Sequence, residues 1–154
     1  MEELDIKFME LALKEAQKCL DIDEVPVGAV IVEDGKVLAR AHNEKEKRKD
    51  ATAHAEMLVI KKVERKKRTW HLENCTIYVT LEPCSMCAGA LIGVRVKRIV
   101  YGTKDEKGGA FGSSYDLREQ KGINHHPDVE GGVLKEKCSE ILKNYFKDKR
   151  KKNK

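Results

Sequence analysis

The stretch CTIYVTLEPCSMCAGALIGVRVKRIVY, from Cys75 to Tyr101, changes its periodicity twice. Cys75 to Thr80 has the β-branched and aromatic make-up of a strand. Leu81-Glu82-Pro83 ends that run, and Pro83 marks the start of a helix from Cys84 to about Ile92, because a helix's first amides lack partners and proline has none to lose. Arg98 to Tyr101 is a strand again. A strand, a helix and a strand in this order form a crossover unit, which lays its two strands parallel.

Upstream, the apolar runs Val27 to Val32 and Val37 to Ala41 flank Glu33-Asp34-Gly35-Lys36, where Asp-Gly supplies the positive-φ pair of a tight hairpin. Phe8, Met9, Ala12, Leu13, Ala16, Cys19 and Leu20 recur at helical spacing, so the first twenty residues are expected to form one amphipathic helix. A charged loop from Glu44 to Asp50 leads to Thr52, the expected cap of a helix through Met57, Leu58 and Ile60.

Downstream, Gly102 to Ser114 reads as a loop and Val129 to Val133 as a short last strand. Leu134, Cys138, Ile141, Leu142 and Tyr145 then mark the apolar stripe of a closing helix. The fold class is α/β, a three-layer α-β-α sandwich around a central mixed five-stranded sheet. Residues 1–148 form one domain, and 149–154 are expected to be a basic, disordered tail.

The chain has 154 residues, enough for one core, and a net charge of +5. From Lys143 to Lys154 seven basic residues face one acid, so the excess lies in that segment. A second run, Lys61 to Arg68, carries six basic side chains against Glu64. Each run alone reads as a solvated helix face, but the two together shift the reading toward a polyanion partner. Five cysteines make an odd count for a disulfide framework, and the acidic, amphipathic amino terminus is no export signal. Both features lead to an expected cytoplasmic location. No apolar run approaches the roughly 20 residues of a membrane span.

Cys84 and Cys87, three apart at a helix start, project their sulfurs from one face, where free amides and the helix dipole favour thiolates. Zinc requires at least three protein ligands, and His54 at another helix start is the third candidate. No fourth ligand is evident nearby, which leaves a position for water, as in catalytic sites. Glu56 falls about 200° from His54 around a regular helix. It is therefore read as a base that reaches the water, not as a ligand. A CxxC redox pair or a closed zinc clip, with His54 a core histidine, is the competing interpretation; a redox pair would not need His-Ala-Glu upstream.

His54-Ala55-Glu56 followed by Pro83-Cys84-Ser85-Met86-Cys87 is the zinc deaminase signature, H-x-E then P-C-x-x-C. Glu24 to Val30, Ala41-His42-Asn43, Thr52 to Glu56, Tyr78 to Cys84, Cys87 to Ala90 and the loop from Tyr101 to Ser113 together resemble the bacterial tRNA-specific adenosine deaminases. These belong among the cytidine deaminase-like zinc enzymes. The resemblance covers nearly the whole chain.

It implies conversion of the wobble adenosine of a tRNA anticodon to inosine by a homodimer holding one zinc per subunit. Glu56 would take a proton from the metal-activated water, and the hydrolysis would occur at C6 of the base. Asn43 resembles the residue that binds the flipped nucleoside, and the backbone of Ala55 a contact to the base edge. Glu24 and Pro26 resemble the pocket rim, while Asp105 and Phe146 resemble contacts to neighbouring anticodon nucleotides. As loop, core or turn residues, Asn43, Phe146 and Asp105 also have purely structural interpretations.

Three departures stand out. Ala51 replaces a frequent proline; Arg65-Lys66-Lys67-Arg68 lacks a glycine, so that helix is expected to extend; and Pro127 beside His125 and His126 should shorten the last strand. His42, His71, His125 and His126 read as loop or satisfied core histidines, and Cys19, Cys75 and Cys138 as packing residues. A free-base deaminase acting on guanine or cytosine shares the two motifs. A non-catalytic RNA-binding zinc protein would leave Glu56 idle.

Overall fold

The computed structural model describes residues 3–152. Its helices are α1 (Glu3–Lys18), α2 (Lys45–Arg48), α3 (Ala55–Lys67), α4 (Ser85–Gly93) and α5 (Lys135–Lys152). Its strands are β1 (Gly28–Glu33), β2 (Lys36–His42), β3 (Cys75–Leu81), β4 (Arg98–Thr103) and β5 (Asp128–Gly131). They form one sheet in the order β2-β1-β3-β4-β5. β1 is antiparallel to both β2 and β3, whereas β3, β4 and β5 run parallel. This is the expected mixed five-stranded sheet.

Alternation along the strands divides the core in two. Ile77, Val79, Ile99 and Tyr101 pack with Leu58, Val59 and Leu91 of α3 and α4 on one face. Tyr78 and Val100 pack with Phe8, Met9, Leu13 and Cys138 of α1 and α5 on the other. The hairpin turns on Asp34 at φ 51° and Gly35 at φ 76°, the two positive values a type I′ turn requires. Among the described residues no helix is long and apolar enough to cross a membrane.

Several boundaries differ from expectation. The first helix gives way to a 3-10 turn over Cys19–Ile22, which swings Leu20 out to 49% exposure and off the buried stripe. Within the expected charged loop, Lys45–Arg48 closes a single helical turn. Thr52 does not cap α3; that position belongs to His54, whose backbone is extended at φ −74°, ψ 152°. α3 does continue through the basic run as expected, as far as Lys67. Arg68 adopts φ 55° and donates its amide to Glu64 O, ending the helix left-handed without a glycine.

Of the stretch 149–154, expected as a disordered tail, residues 149–152 belong to α5, which continues to Lys152. Tyr145 Oη and Lys149 Nζ both bond Asp23, at 3.1 and 2.5 Å, which ties this end of the helix to the turn before β1. Positive side chains in a last turn also complement the helix dipole. Residues 153 and 154 lie outside the described residues. Pro127 precedes a β5 of only four residues, as its missing amide requires.

Candidate active site and metal centre

α3 and α4 follow β2 and β3 and begin at the same end of the sheet. Their N-cap residues are His54 and Cys84, both with extended backbone. Being just outside a helix lets each side chain turn across the helix start. His54 Nδ1 lies 3.8 Å from Cys84 Sγ and 3.5 Å from Cys87 Sγ. All three donor atoms fall within 4.8 Å of one another. Zinc bonds of about 2.3 Å to sulfur and 2.0–2.1 Å to nitrogen, set tetrahedrally, place N and S about 3.6 Å apart. The spacing and the donor chemistry therefore both fit zinc.

Because His54 is extended rather than helical, the 200° separation from Glu56 does not apply. Glu56 is the second residue of α3 and only 4% exposed, with its carboxyl facing the Cys87 thiol. Burial raises its pKa to about 7. A carboxyl tuned there can take up and release a proton near neutrality. The Cys87 thiol and His54 pull Cys84 well down toward thiolate, while the Cys84 sulfur and burial push Cys87 up. The same contact with Cys84 raises His54. One thiolate is thus favoured even before a metal neutralises the group.

Two segments flank this centre, and a buried carboxylate holds each. Glu24, 2% exposed, accepts the amides of Glu46 at 3.0 Å and Lys47 at 2.7 Å, fixing the start of α2. Glu82, also 2% exposed, accepts from the amides of Asp105, Phe111 and Ser113. The sequence reading placed Glu24 on the pocket rim and gave Glu82 no part. Its place directly before Pro83-Cys84 was the one signal in the sequence.

Asn43 sits between the halves. Its Oδ1 accepts from Ala55 N at 2.8 Å, and its Nδ2 donates to Val25 O at 3.1 Å. Ala55 N–H is therefore committed to Asn43, and Asn43 keeps one amide hydrogen and lone-pair capacity for another partner. Pro26 is buried. Asp105 and Phe146 share a hollow of about 750 Å³ with Lys104, Lys107, Lys143 and Arg150 on its walls. Asp105 Oδ1 is occupied by the amides of Lys107 and Gly108, both at 3.1 Å, so half of its carboxylate shapes the turn. Phe146 is 44% exposed, not core.

The remaining candidates are structural. His42 Nδ1 lies 3.1 Å from Asn43 O, His125 Nε2 lies 2.7 Å from Val96 O, and His71 Nδ1 lies 2.9 Å from Glu73. Burial holds Cys19, Cys75 and Cys138 as thiols, their pKa values pushed up to about 11, 11 and 12. In the basic run, Lys62 Nζ and Lys66 Nζ donate to Arg40 O and Leu38 O at 2.6 and 3.2 Å. They cover carbonyls of the edge strand β2, a familiar guard against edge pairing.

The family model of the MafB19-like deaminases matches residues 4–150. The chain belongs to that family. Among relatives of this deaminase, the tRNA-specific adenosine deaminase of Bacillus subtilis (strain 168) is 47% identical over 150 residues, 97% of this chain and 93% of the relative. A solved structure from studies of A-to-I editing by tRNA:A34 deaminases at the wobble position superposes with a TM-score of 0.84 at 44% identity. It covers 88% of this chain and 99% of the other. Guanine deaminase from Bacillus subtilis is more distant, at 27% identity and a TM-score of 0.64 over 82% of this chain and 85% of its own.

Proposed function

We propose that this deaminase converts adenosine to inosine in tRNA, at the wobble position of the anticodon, holding one zinc per subunit on His54, Cys84 and Cys87. The observation that carries the reading is the buried Glu56 carboxyl beside a three-donor metal group, in a chain 47% identical to a tRNA-specific adenosine deaminase. When bound, zinc supplies Lewis acidity that makes water a nucleophile near neutral pH.

Glu56 accepts the proton that water loses as it attacks C6 of the adenine. It then returns protons to the ring nitrogen and the departing amine, so adenosine and water become inosine and ammonia. With a pKa of about 7 before metal binds, the carboxyl is suited to both directions of transfer. Asn43 uses its remaining hydrogen-bonding capacity to hold the flipped nucleoside, while its bonds to Ala55 and Val25 keep it oriented. Glu24 and Pro26 set the rim, and the amide of Ala55 meets the base edge only by sharing its hydrogen with Asn43.

Asp105 and Phe146 receive neighbouring nucleotides. Basic walls and an exposed aromatic ring suit phosphate and stacked base respectively. A tRNA substrate supports a cytoplasmic location, and the resemblance supports a homodimer. Guanine deamination is the second reading, since that enzyme shares the fold, but its identity is much the lower of the two. Incubation with an anticodon stem-loop carrying wobble adenosine, alongside free adenosine, guanine and cytosine, separates them. The account expects deamination of the stem-loop far above every free compound. Turnover of guanine or cytosine without inosine in RNA would overturn it.

A further inference from the structure

The connection from β4 to β5 has no strand and only a 3-10 turn, Leu117–Glu119, so its amides must find partners elsewhere. Three of them find Glu82. Asp105 N donates to Glu82 Oε1 at 3.2 Å, and Phe111 N and Ser113 N donate to Oε2 at 3.0 and 3.3 Å. The Ser113 hydroxyl adds a fourth donor, to Oε1. Ala110 N, between them, donates to Pro83 O at 3.0 Å. A Cβ on Gly109 would lie 2.4 Å from Glu82 Cδ, so only glycine lets the loop close so tightly around the carboxylate.

A buried carboxylate is costly unless its lone pairs are used, and here four donors use them. The segment Glu82–Cys84 then does two things at once. It carries the donor Cys84, and through Glu82 and Pro83 it fixes the course of the loop that presents Asp105 to the 750 Å³ hollow. The distance from metal group to hollow is thus set by three consecutive residues.

We propose that Glu82 is a positioning residue for RNA. It holds the Asp105 loop at a fixed offset from the metal group, so that a strand seated in the hollow delivers its adenosine to Glu56. The proposal rests on the RNA reading above. Glu82 touches neither metal nor substrate, and its effect is on how the nucleotides beside the reacting adenosine are held.

Glu82→Gln tests this, because an amide replaces one acceptor oxygen with a donor that faces donors. Zinc content should remain one per chain. KM for the stem-loop should rise roughly ten-fold, equivalent to about 1.4 kcal/mol, while kcat stays within about two-fold. Relative rates on stem-loops differing only beside the adenosine should converge. Ser113→Ala, which removes one of the four donors, should move KM the same way by about two- to three-fold. Wild-type KM and unchanged neighbour preference in Glu82→Gln would overturn the proposal, even with lowered thermal stability. If Glu82→Gln does not yield folded protein, Ser113→Ala decides, and an unchanged KM there overturns it. Absence of inosine with the wild type instead defeats the RNA reading.

Discussion

Asn43 Oδ1 accepts the amide of Ala55, the first residue of α3, at 2.8 Å, while its Nδ2 donates to Val25 O in the turn before β1, so one side chain ties the helix that starts at the metal group to that turn. Asn43→Ala should leave the buried Ala55 amide unpaired, at about 1–3 kcal/mol, and lose most deamination, with zinc retained. Asn43→Asp keeps the acceptor for Ala55 but loses the donor to Val25, and should recover stability better than activity. Denaturant unfolding, elemental analysis and inosine formation measured together check the three effects. Normal activity in Asn43→Ala would remove its proposed substrate contact.

Zinc should follow the donor set. Cys87→Ala leaves only His54 and Cys84 of the described cluster and should purify without stoichiometric metal. Chelation of the wild type should abolish turnover, and added zinc restore it. Full zinc in Cys87→Ala by elemental analysis would take Cys87 out of the set.

The opposite face of the sheet predicts a pH effect on stability. Arg98 grips both oxygens of the buried Asp5 at 2.8 Å, and Tyr78 Oη donates to Oδ1 at 2.7 Å. The Arg98 guanidinium holds the Asp5 carboxyl below its ordinary 3.8. A depressed carboxylate adds stability above its unfolded pKa and loses it as pH falls through the folded value. Asp5→Asn should therefore cost about 3 kcal/mol near pH 7. The gap to wild type should narrow only below about pH 4, in urea titrations across pH. A gap constant from pH 7 to pH 2 would contradict the linkage.

Because Lys149 is engaged by Asp23, the RNA-facing charge of α5 is expected from Arg150, Lys151 and Lys152. Removing residues 150–154 preserves that contact. If two or three of the deleted charges meet phosphates, log affinity against log salt should flatten by roughly 1.4 to 2.1 units. Filter binding of tRNA over a salt series reads the slope. The same slope in both proteins would make this end of the helix a solvated face.

Much of this was visible in the sequence because it is local. The apolar and β-branched runs of β1, β3 and β4, the Asp34-Gly35 turn and the His-Ala-Glu and Pro-Cys-x-x-Cys spacings each lie within a few residues. Glu24 and Glu82 were not legible in the same way. Their partners are 22 to 31 residues away, and a lone glutamate looks the same whether solvated or enclosed. Boundaries set by backbone conformation also escaped, as when Arg68 took the left-handed turn usually given to glycine. The end of α5 was misread for another reason: a run of lysines looks like a solvated tail until Asp23 is brought beside it by the fold.

Wobble inosine formed by zinc-loaded wild type and Glu56→Ala tests the central claim most directly, since that variant removes the proton carrier and none of the three metal donors. A tRNA anticodon stem-loop with adenosine at the wobble position is incubated with each protein at equal measured zinc content, and inosine is read by sequencing. The account predicts full conversion by the wild type and none above background by Glu56→Ala, with one zinc in both. Comparable inosine from Glu56→Ala would contradict it.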